Sequence, residues 1–223
     1  MGRLTTMSKL LRAVAAVCVL AGCSSATHPA KVDIAKVADV KPSFGPDYKV
    51  SDTGERGIDP KLLAGRKLPD GLTFDPAQCA KVASGPDLPA DLQGNMAAVT
   101  AEGRGNRFVV IALETSKALP FNDPGKDCAK VTFSGAQLRG GVQVVDAPQI
   151  DSARTLGVHR VLQALTPGGP RTGELYEYSA QFGDYQVIVT ANPLVIPNQP
   201  VAPVDTQRAR DLLVKAVASV RAQ

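Results

Sequence analysis

The sequence predicts an α+β domain: an antiparallel sheet packed against short helices and a C-terminal helix, with one disulfide. Three observations carry that prediction. Gly183-Asp184 is a two-residue turn signal between two alternating segments. Asp205 heads a stretch in which Ala209, Leu212, Leu213, Ala216, Val217 and Val220 recur at helical spacing. Cys79 and Cys128 each follow an Asp-Pro pair at short range, which marks both as turn or short-helix positions.

Taken from the N-terminus, Arg3, Lys9 and Arg12 are the only charges ahead of Cys23, and residues 13–21 are apolar and small. This is the shape of an export signal, and its apolar core is shorter than the roughly 20 residues that span a bilayer. Leu20-Ala21-Gly22-Cys23 resembles the lipobox of bacterial lipoproteins. The resemblance implies that the Cys23 thiol is alkylated by diacylglycerol, that the chain is cut before it, and that the new amino group also takes a fatty chain such as palmitate. Two chains anchor where one holds only marginally. The bland alternative is an ordinary secretory signal with a chance cysteine. On the lipobox reading, residues 1–22 are a lipoprotein signal peptide and residues 23–56 a lipidated cysteine with its tether. Residues 57–223 are then a single domain on the extracytoplasmic side of the cell membrane.

Composition excludes some partners. The net charge of +4 includes the three leading cations, so the exported chain is nearly neutral, and it has no tryptophan and no basic stripe interleaved with aromatics. Nucleic acid is therefore not an expected partner. Apolar residues make up 44% of the chain, enough for one globular core, while 20 glycines and 17 prolines announce many turns.

Residues 24–51 are polar and broken by Pro29, Pro42 and Pro46, which reads as a tether. Its roughly 27 residues would average about 30 Å end to end as a coil. Only a weak apolar spacing at residues 32–40 hints at a transient helix. Asp59-Pro60 predicts a short helix over 61–66, and Asp75-Pro76 a second one carrying Cys79, ended by Pro86 and Pro89. Residues 95–102 and 107–115 read as strands on either side of Gly103-Arg104-Gly105-Asn106. The unbroken apolar run at 108–113 predicts a central strand covered on both faces. Asp123-Pro124 opens the turn that carries Cys128, and residues 141–145 and 155–165 are further strands.

The hairpin at Gly183-Asp184 predicts its own register. Phe182 faces Tyr185, Ala180 faces Val187 and Tyr178 faces Val189, all on one apolar face. The other face collects Glu177, Ser179, Gln181, Gln186, Ile188 and Thr190. After a crossing punctuated by Pro193, Pro197, Pro200 and Pro203, the helix capped by Asp205 supplies the cover that the apolar face needs. Arg208, Lys215 and Arg221 fall off its apolar stripe and read as a solvated face.

Cys18 leaves with the signal and Cys23 is consumed by lipid, so Cys79 and Cys128 form the one available pair in an oxidising compartment. A bridge closing about 50 residues contributes roughly 3 to 4 kcal/mol by restricting the unfolded chain, in a model-dependent way. The alternative is a redox or metal pair. No CxxC spacing exists, and His28 and His159 are too few for a convincing zinc site, so no metal and no cofactor are expected.

Catalytic motifs are absent: there is no Gly-x-Ser-x-Gly elbow and no phosphate-cradling glycine loop. His159 alternates with Val161, Gln163 and Leu165 along one strand face, which suits a satisfied or surface histidine. Asp146, Asp151 and Glu177 lie in three separate segments with no sign of an acid–base pair. The remaining candidate is the polar hairpin face, with Glu177, Gln181, Gln186 and Thr190 as ligand-binding residues if helices leave it open as one wall of a cleft. A plain solvent-facing sheet surface is the competing explanation.

Beyond the lipobox, Phe74-Asp75-Pro76-Ala77-Gln78-Cys79-Ala80, Val145-Asp146-Ala147-Pro148, Leu175-Tyr176-Glu177-Tyr178 and Thr190-Ala191-Asn192-Pro193-Leu194 resemble a family of mycobacterial lipoproteins. The domain of that family is similar to the extracellular sensor domain of the serine/threonine kinase PknH. The resemblance covers roughly residues 59–223 and implies a mixed helix and antiparallel-sheet domain with a cleft, which binds rather than catalyses. The kinase domain carries two disulfides where this chain has cysteines for one, and no ligand-binding residue transfers from it. The expected function is a non-enzymatic, lipid-anchored envelope protein that engages a small molecule or lipid in a cleft. The alternative is a module that docks on an envelope protein.

Overall fold

The structure, a computed structural model, describes residues 32–58, 68–85, 89 and 91–222. The expected signal peptide, Cys18, Cys23, His28 and the short helix over 61–66 lie outside those residues. Among the described residues nine strands form one antiparallel sheet: β1 (Tyr48–Gly57), β2 (Thr73–Asp75), β3 (Gly94–Gly103), β4 (Asn106–Thr115), β5 (Lys130–Ser134), β6 (Leu138–Val145), β7 (Arg154–Thr166), β8 (Gly169–Phe182) and β9 (Tyr185–Pro193). Their order across the sheet is β1-β3-β4-β9-β8-β7-β6-β5-β2. A long 3-10 helix, Ile34–Ser43, precedes β1, a short helical turn at Ala77–Cys79 and Ala80–Ser84 carries Cys79, and the C-terminal helix spans Thr206–Arg221.

The expected α+β architecture is therefore present. The β8–β9 hairpin has the register that alternation dictates, with Phe182 opposite Tyr185, Ala180 opposite Val187 and Tyr178 opposite Val189. Gly183 in the turn has φ +57°, a conformation that a side chain would penalise. The C-terminal helix is capped by Asp205, whose carboxylate accepts the Arg208 N–H at 2.9 Å. All six residues of its stripe, from Ala209 to Val220, are buried.

The helix covers only one half of one sheet face. Under it lie Ala97, Val99 and Ala101 of β3, Phe108, Val110 and Ala112 of β4, Val187 and Val189 of β9, and Tyr178 and Ala180 of β8. On the reverse face two small clusters sit at opposite ends. Met96, Leu113 and Ile188 form one, and Cys79, Ala83 and Val131 the other. β4 is thus internal, as its apolar run predicts, but its reverse face is only half closed: Leu113 is buried while Val109 and Ile111 are partly exposed.

The tether expectation over 23–56 is corrected from Val32 onward. Ile34, Val37 and Val40 are buried against the sheet and the C-terminal helix, followed by Phe44 and Tyr48. Their spacing of three is the repeat of a 3-10 helix, which places them on one edge, so a helical wheel drawn at 3.6 residues per turn shows only a weak stripe. The segment is pinned at both ends: the Asp33 N–H donates to the Val220 carbonyl at 2.9 Å, and Phe44, Tyr48 and Phe108 form a ring cluster with centroids 5.4 to 6.2 Å apart. β1 escapes sequence reading because it is an edge strand. Only Tyr48 is buried in it, and its polar remainder faces water while its backbone pairs with β3.

Two smaller expectations also change. Asp75 does not cap the turn that carries Cys79, because it is the last residue of β2 and pairs with Thr132. Arg208, Lys215 and Arg221 are not simply solvated. Arg208 donates to the Ser43 carbonyl and lies over the Tyr48 ring, while Lys215 donates to Ser43 Oγ. Arg221 donates to the carbonyls of Asp151 and Ser152 and covers Phe182. These cations clamp the helix to the segments beside it.

Candidate functional site

Register decides which side chains share a face. The residues expected to bind, Glu177, Gln181, Gln186 and Thr190, do come together: Glu177 pairs with Thr190 and Gln181 with Gln186 across β8 and β9. They lie on the reverse face, each half-buried, with Ser179 and Ile188 buried between them. That face is crossed by the connection from β4 to β5. The Gln181 amide donates to the Leu119 carbonyl, Arg154 stacks over Phe121 at 3.9 Å, and the Asn122 amide donates to the Val82 carbonyl at 2.8 Å. Gln181 therefore holds a loop. Glu177 also has an interaction, as does Arg160 on β7.

The described groove lies on the other face, where the C-terminal helix ends and the sheet continues uncovered. It has a volume of about 460 Å³, and none of the four expected residues lines it. Its floor comes from β2, β5, β6, β7 and β8. One row runs Thr73, Ser134, Arg139, Gln163, Thr172, and the next Asp75, Thr132, Gly141, Val161, Glu174. Alternation is the local cause: in β5, Val131 is buried in the small disulfide-side core and Phe133 lies against the Phe74 ring, so Thr132 and Ser134 take the opposite face. The connection that brings Cys128 under this end is closed by the Cys79–Cys128 disulfide, with Cα atoms 5.5 Å apart.

The middle of the first row is a hydrogen-bonded ladder. Arg139 Nε donates to Gln163 Oε1 at 2.6 Å, and Gln163 Nε2 donates to Thr172 Oγ1 at 3.0 Å. The ladder orients the amide from both sides and leaves the exposed guanidinium at the rim. Between groove and core, His159 stacks on Tyr176 with centroids 4.1 Å apart, and its Nε2 lies 3.2 Å from Glu174 Oε2. His159 is thus the satisfied histidine that alternation suggests. Burial, then the Glu174 charge, raises the Tyr176 pKa above its ordinary value and keeps the phenol neutral. The arrangement offers hydrogen-bond donors and acceptors on a rigid sheet. Among the described residues no cluster of His, Cys, Asp and Glu could hold a metal, and no helix is long and apolar enough to cross a membrane.

Sequence reasoning missed the groove residues. Each is an ordinary polar position in an alternating strand, and the only local signal, the Val-Thr-Phe-Ser alternation at 131–134, identifies a half-buried strand without saying what it pairs with.

Comparison with known proteins places this geometry among relatives. The model of the family described as Domain of unknown function (DUF5642) matches residues 33–221. A solved structure from Mycobacterium smegmatis, described as the Rv0999 ortholog, is similar at 59% identity and a TM-score of 0.81, over 86% of this chain and 98% of that one. The extracellular domain of PknH from Mycobacterium tuberculosis is matched at 15% identity and a TM-score of 0.36, over 83% of this chain and 92% of that one. No curated protein matches.

Proposed function

The chain belongs to the DUF5642 family, and from that premise we propose that it is a lipid-anchored binding module of the cell envelope. It holds a small molecule or lipid in the sheet groove and does no chemistry on it. The observation that carries this reading is the uncovered half of the sheet. Five strands present a floor of mixed carbon and polar surface on which Arg139, Gln163 and Thr172 are already tied to one another by hydrogen bonds. Side chains ordered before binding lose little entropy when a ligand arrives. We read His159, stacked on Tyr176 and 3.2 Å from Glu174, as part of the sheet wall rather than as a catalytic base.

The anchor is supported by the lipobox ending at Cys23 and by the disulfide, which suits an oxidising compartment. With Asp33 tied to Val220, residues 24–31 alone connect Cys23 to the domain. Eight residues reach at most about 28 Å when fully extended. The domain is then held near the lipid surface rather than far from it.

Native mass spectrometry of the protein purified from its own membranes tests the binding reading. The expected result is a co-purifying ligand that Gln163→Ala depletes; an empty protein would overturn it. Partitioning of Cys23→Ala tests the anchor, since unchanged membrane association would exclude a lipid on Cys23. A second reading, docking on an envelope protein, is favoured by one observation. Val195, Ile196 and Val201 are each exposed in the crossing between β9 and the C-terminal helix, Val195 at 76%. Crosslinking from Val195 to a discrete partner in native membranes would favour it.

A further inference from the structure

We propose that the groove takes a neutral polyhydroxylated chain, an oligosaccharide lying across the strands, with the Arg139–Gln163–Thr172 ladder reading its hydroxyls. The inference rests on the groove being the binding site and specifies the class of its ligand. Four properties of the lining carry it.

The first is the balance of hydrogen-bonding capacity. Thr73, Thr132, Ser134 and Thr172 bring hydroxyls that both donate and accept, and the Gln163 amide does the same. Arg139 only donates and Asp75, ionised, only accepts. A ligand whose every polar group both donates and accepts satisfies such a mixed surface from end to end. A carboxylate or phosphate would face the Asp75 carboxylate, an acceptor it cannot serve.

Charge is the second. Of the charged residues that line the groove, Arg139 is a cation and Asp75 a carboxylate, while Glu174 at the end of the second row is turned to His159 at 3.2 Å. Arg139 and Asp75 cancel, and Arg139 already donates its Nε–H to Gln163. The floor is built from strands, and in β5 to β8 the backbone N–H groups are used in the sheet ladders on both sides, so that part of it has no backbone nest of the kind on which anion sites are built.

Surface character is the third. Val161 and the methyl groups of the threonines interrupt the polar tips with carbon surface. A sugar ring presents the same alternation, hydroxyls at its edge and C–H groups on its faces.

Shape is the last. From β2 to β8 the row crosses four inter-strand spacings, about 19 Å. The groove is open along its length, so it suits an extended chain that runs in and out better than a compact ligand, which a pocket would enclose on most sides.

The test uses the full-length protein, with cellotetraose, maltotetraose and mannotetraose as probes. Isothermal titration calorimetry reads affinity and hydrogen–deuterium exchange reads location. At least one tetrasaccharide should bind in the millimolar range and slow exchange in peptides of β2 and β6 to β8. Gln163→Ala and Arg139→Ala should each weaken it about tenfold, the loss of one hydrogen bond, while Lys49→Ala on β1 should not. Circular dichroism checks that the exposed variants keep the fold. Absence of binding by all three sugars overturns the proposal. Groove protection by inorganic phosphate or by phosphatidylglycerol vesicles, without sugar binding, also overturns it but leaves the groove as a binding site. If no probe protects the groove, the proposal and the reading it rests on both fall.

Discussion

Val37 distinguishes a domain that includes the 3-10 helix Ile34–Ser43 from one in which that segment is a tether. Its side chain is 1% exposed, on the inner edge of the 3-10 helix, in the core shared with Val99, Phe108 and Leu213. Val37→Ala removes two methyl groups. The transfer cost is about 0.8 kcal/mol for each. A cavity cost adds to it, because the strands and the C-terminal helix that frame the site are hydrogen-bonded elements that collapse only in part. Together these give about 2 to 3 kcal/mol. Urea titration followed by circular dichroism should show the midpoint falling at constant slope. Lys49→Ala, exposed on β1, is the reference and should change stability by no more than about 0.5 kcal/mol. If Val37→Ala behaved like Lys49→Ala, the 3-10 helix would not belong to the core and its burial would mean nothing for stability.

Other substitutions probe the remaining joints. Asn106 is 3% exposed; its amide donates to the Pro203 carbonyl at 3.2 Å and its carbonyl accepts the Asp205 N–H at 3.0 Å, fixing the entry to the C-terminal helix. Asn106→Ala leaves both backbone groups unmatched and should cost about 2 to 4 kcal/mol, with faster amide exchange in the first turn of that helix; a loss below about 1 kcal/mol would contradict the assignment. Reducing Cys79–Cys128, which closes a separation of 49 residues, should remove about 4 kcal/mol on the chain-entropy account, and an unchanged urea midpoint in reductant would refute it. Burial, then the hydrogen bond to Glu114, raises the Tyr185 pKa, so the folded protein keeps a proton that the unfolded chain releases. Stability should be full below about pH 10 and decline as pH rises through the folded value; Tyr185→Phe should flatten that decline, and a midpoint independent of pH in the wild type would refute the assignment.

What was legible in the sequence was local. Gly183-Asp184 sets a register for residues 176–191 because a two-residue turn leaves one pairing and alternation with a period of two assigns every side chain to a face. The stripe from Ala209 to Val220 and the Asp205 cap are equally self-contained, since both depend on residues three or four apart. The Cys79–Cys128 pair was legible by elimination, once two other cysteines were assigned to the signal and the anchor. The lipobox itself remains a statement of sequence alone.

What only the tertiary structure decided depends on partners distant in the chain. The segment 32–56 reads as a tether because its burial is visible only against partners such as the C-terminal helix, more than 160 residues away, as in the contact of Arg208 with Ser43. The polar hairpin face comes together as its register requires, but that the β4–β5 connection takes the Gln181 amide on that face is visible only in the fold. Thr73, Ser134, Arg139, Gln163 and Thr172 carry no motif, and five strands must align before they form one row. Turn chemistry and periodicity act over a few residues and are written into the chain. Strand order and the facing of one polar row by the next are settled by burial of the whole sheet, where the free energy belongs to the assembly rather than to any segment.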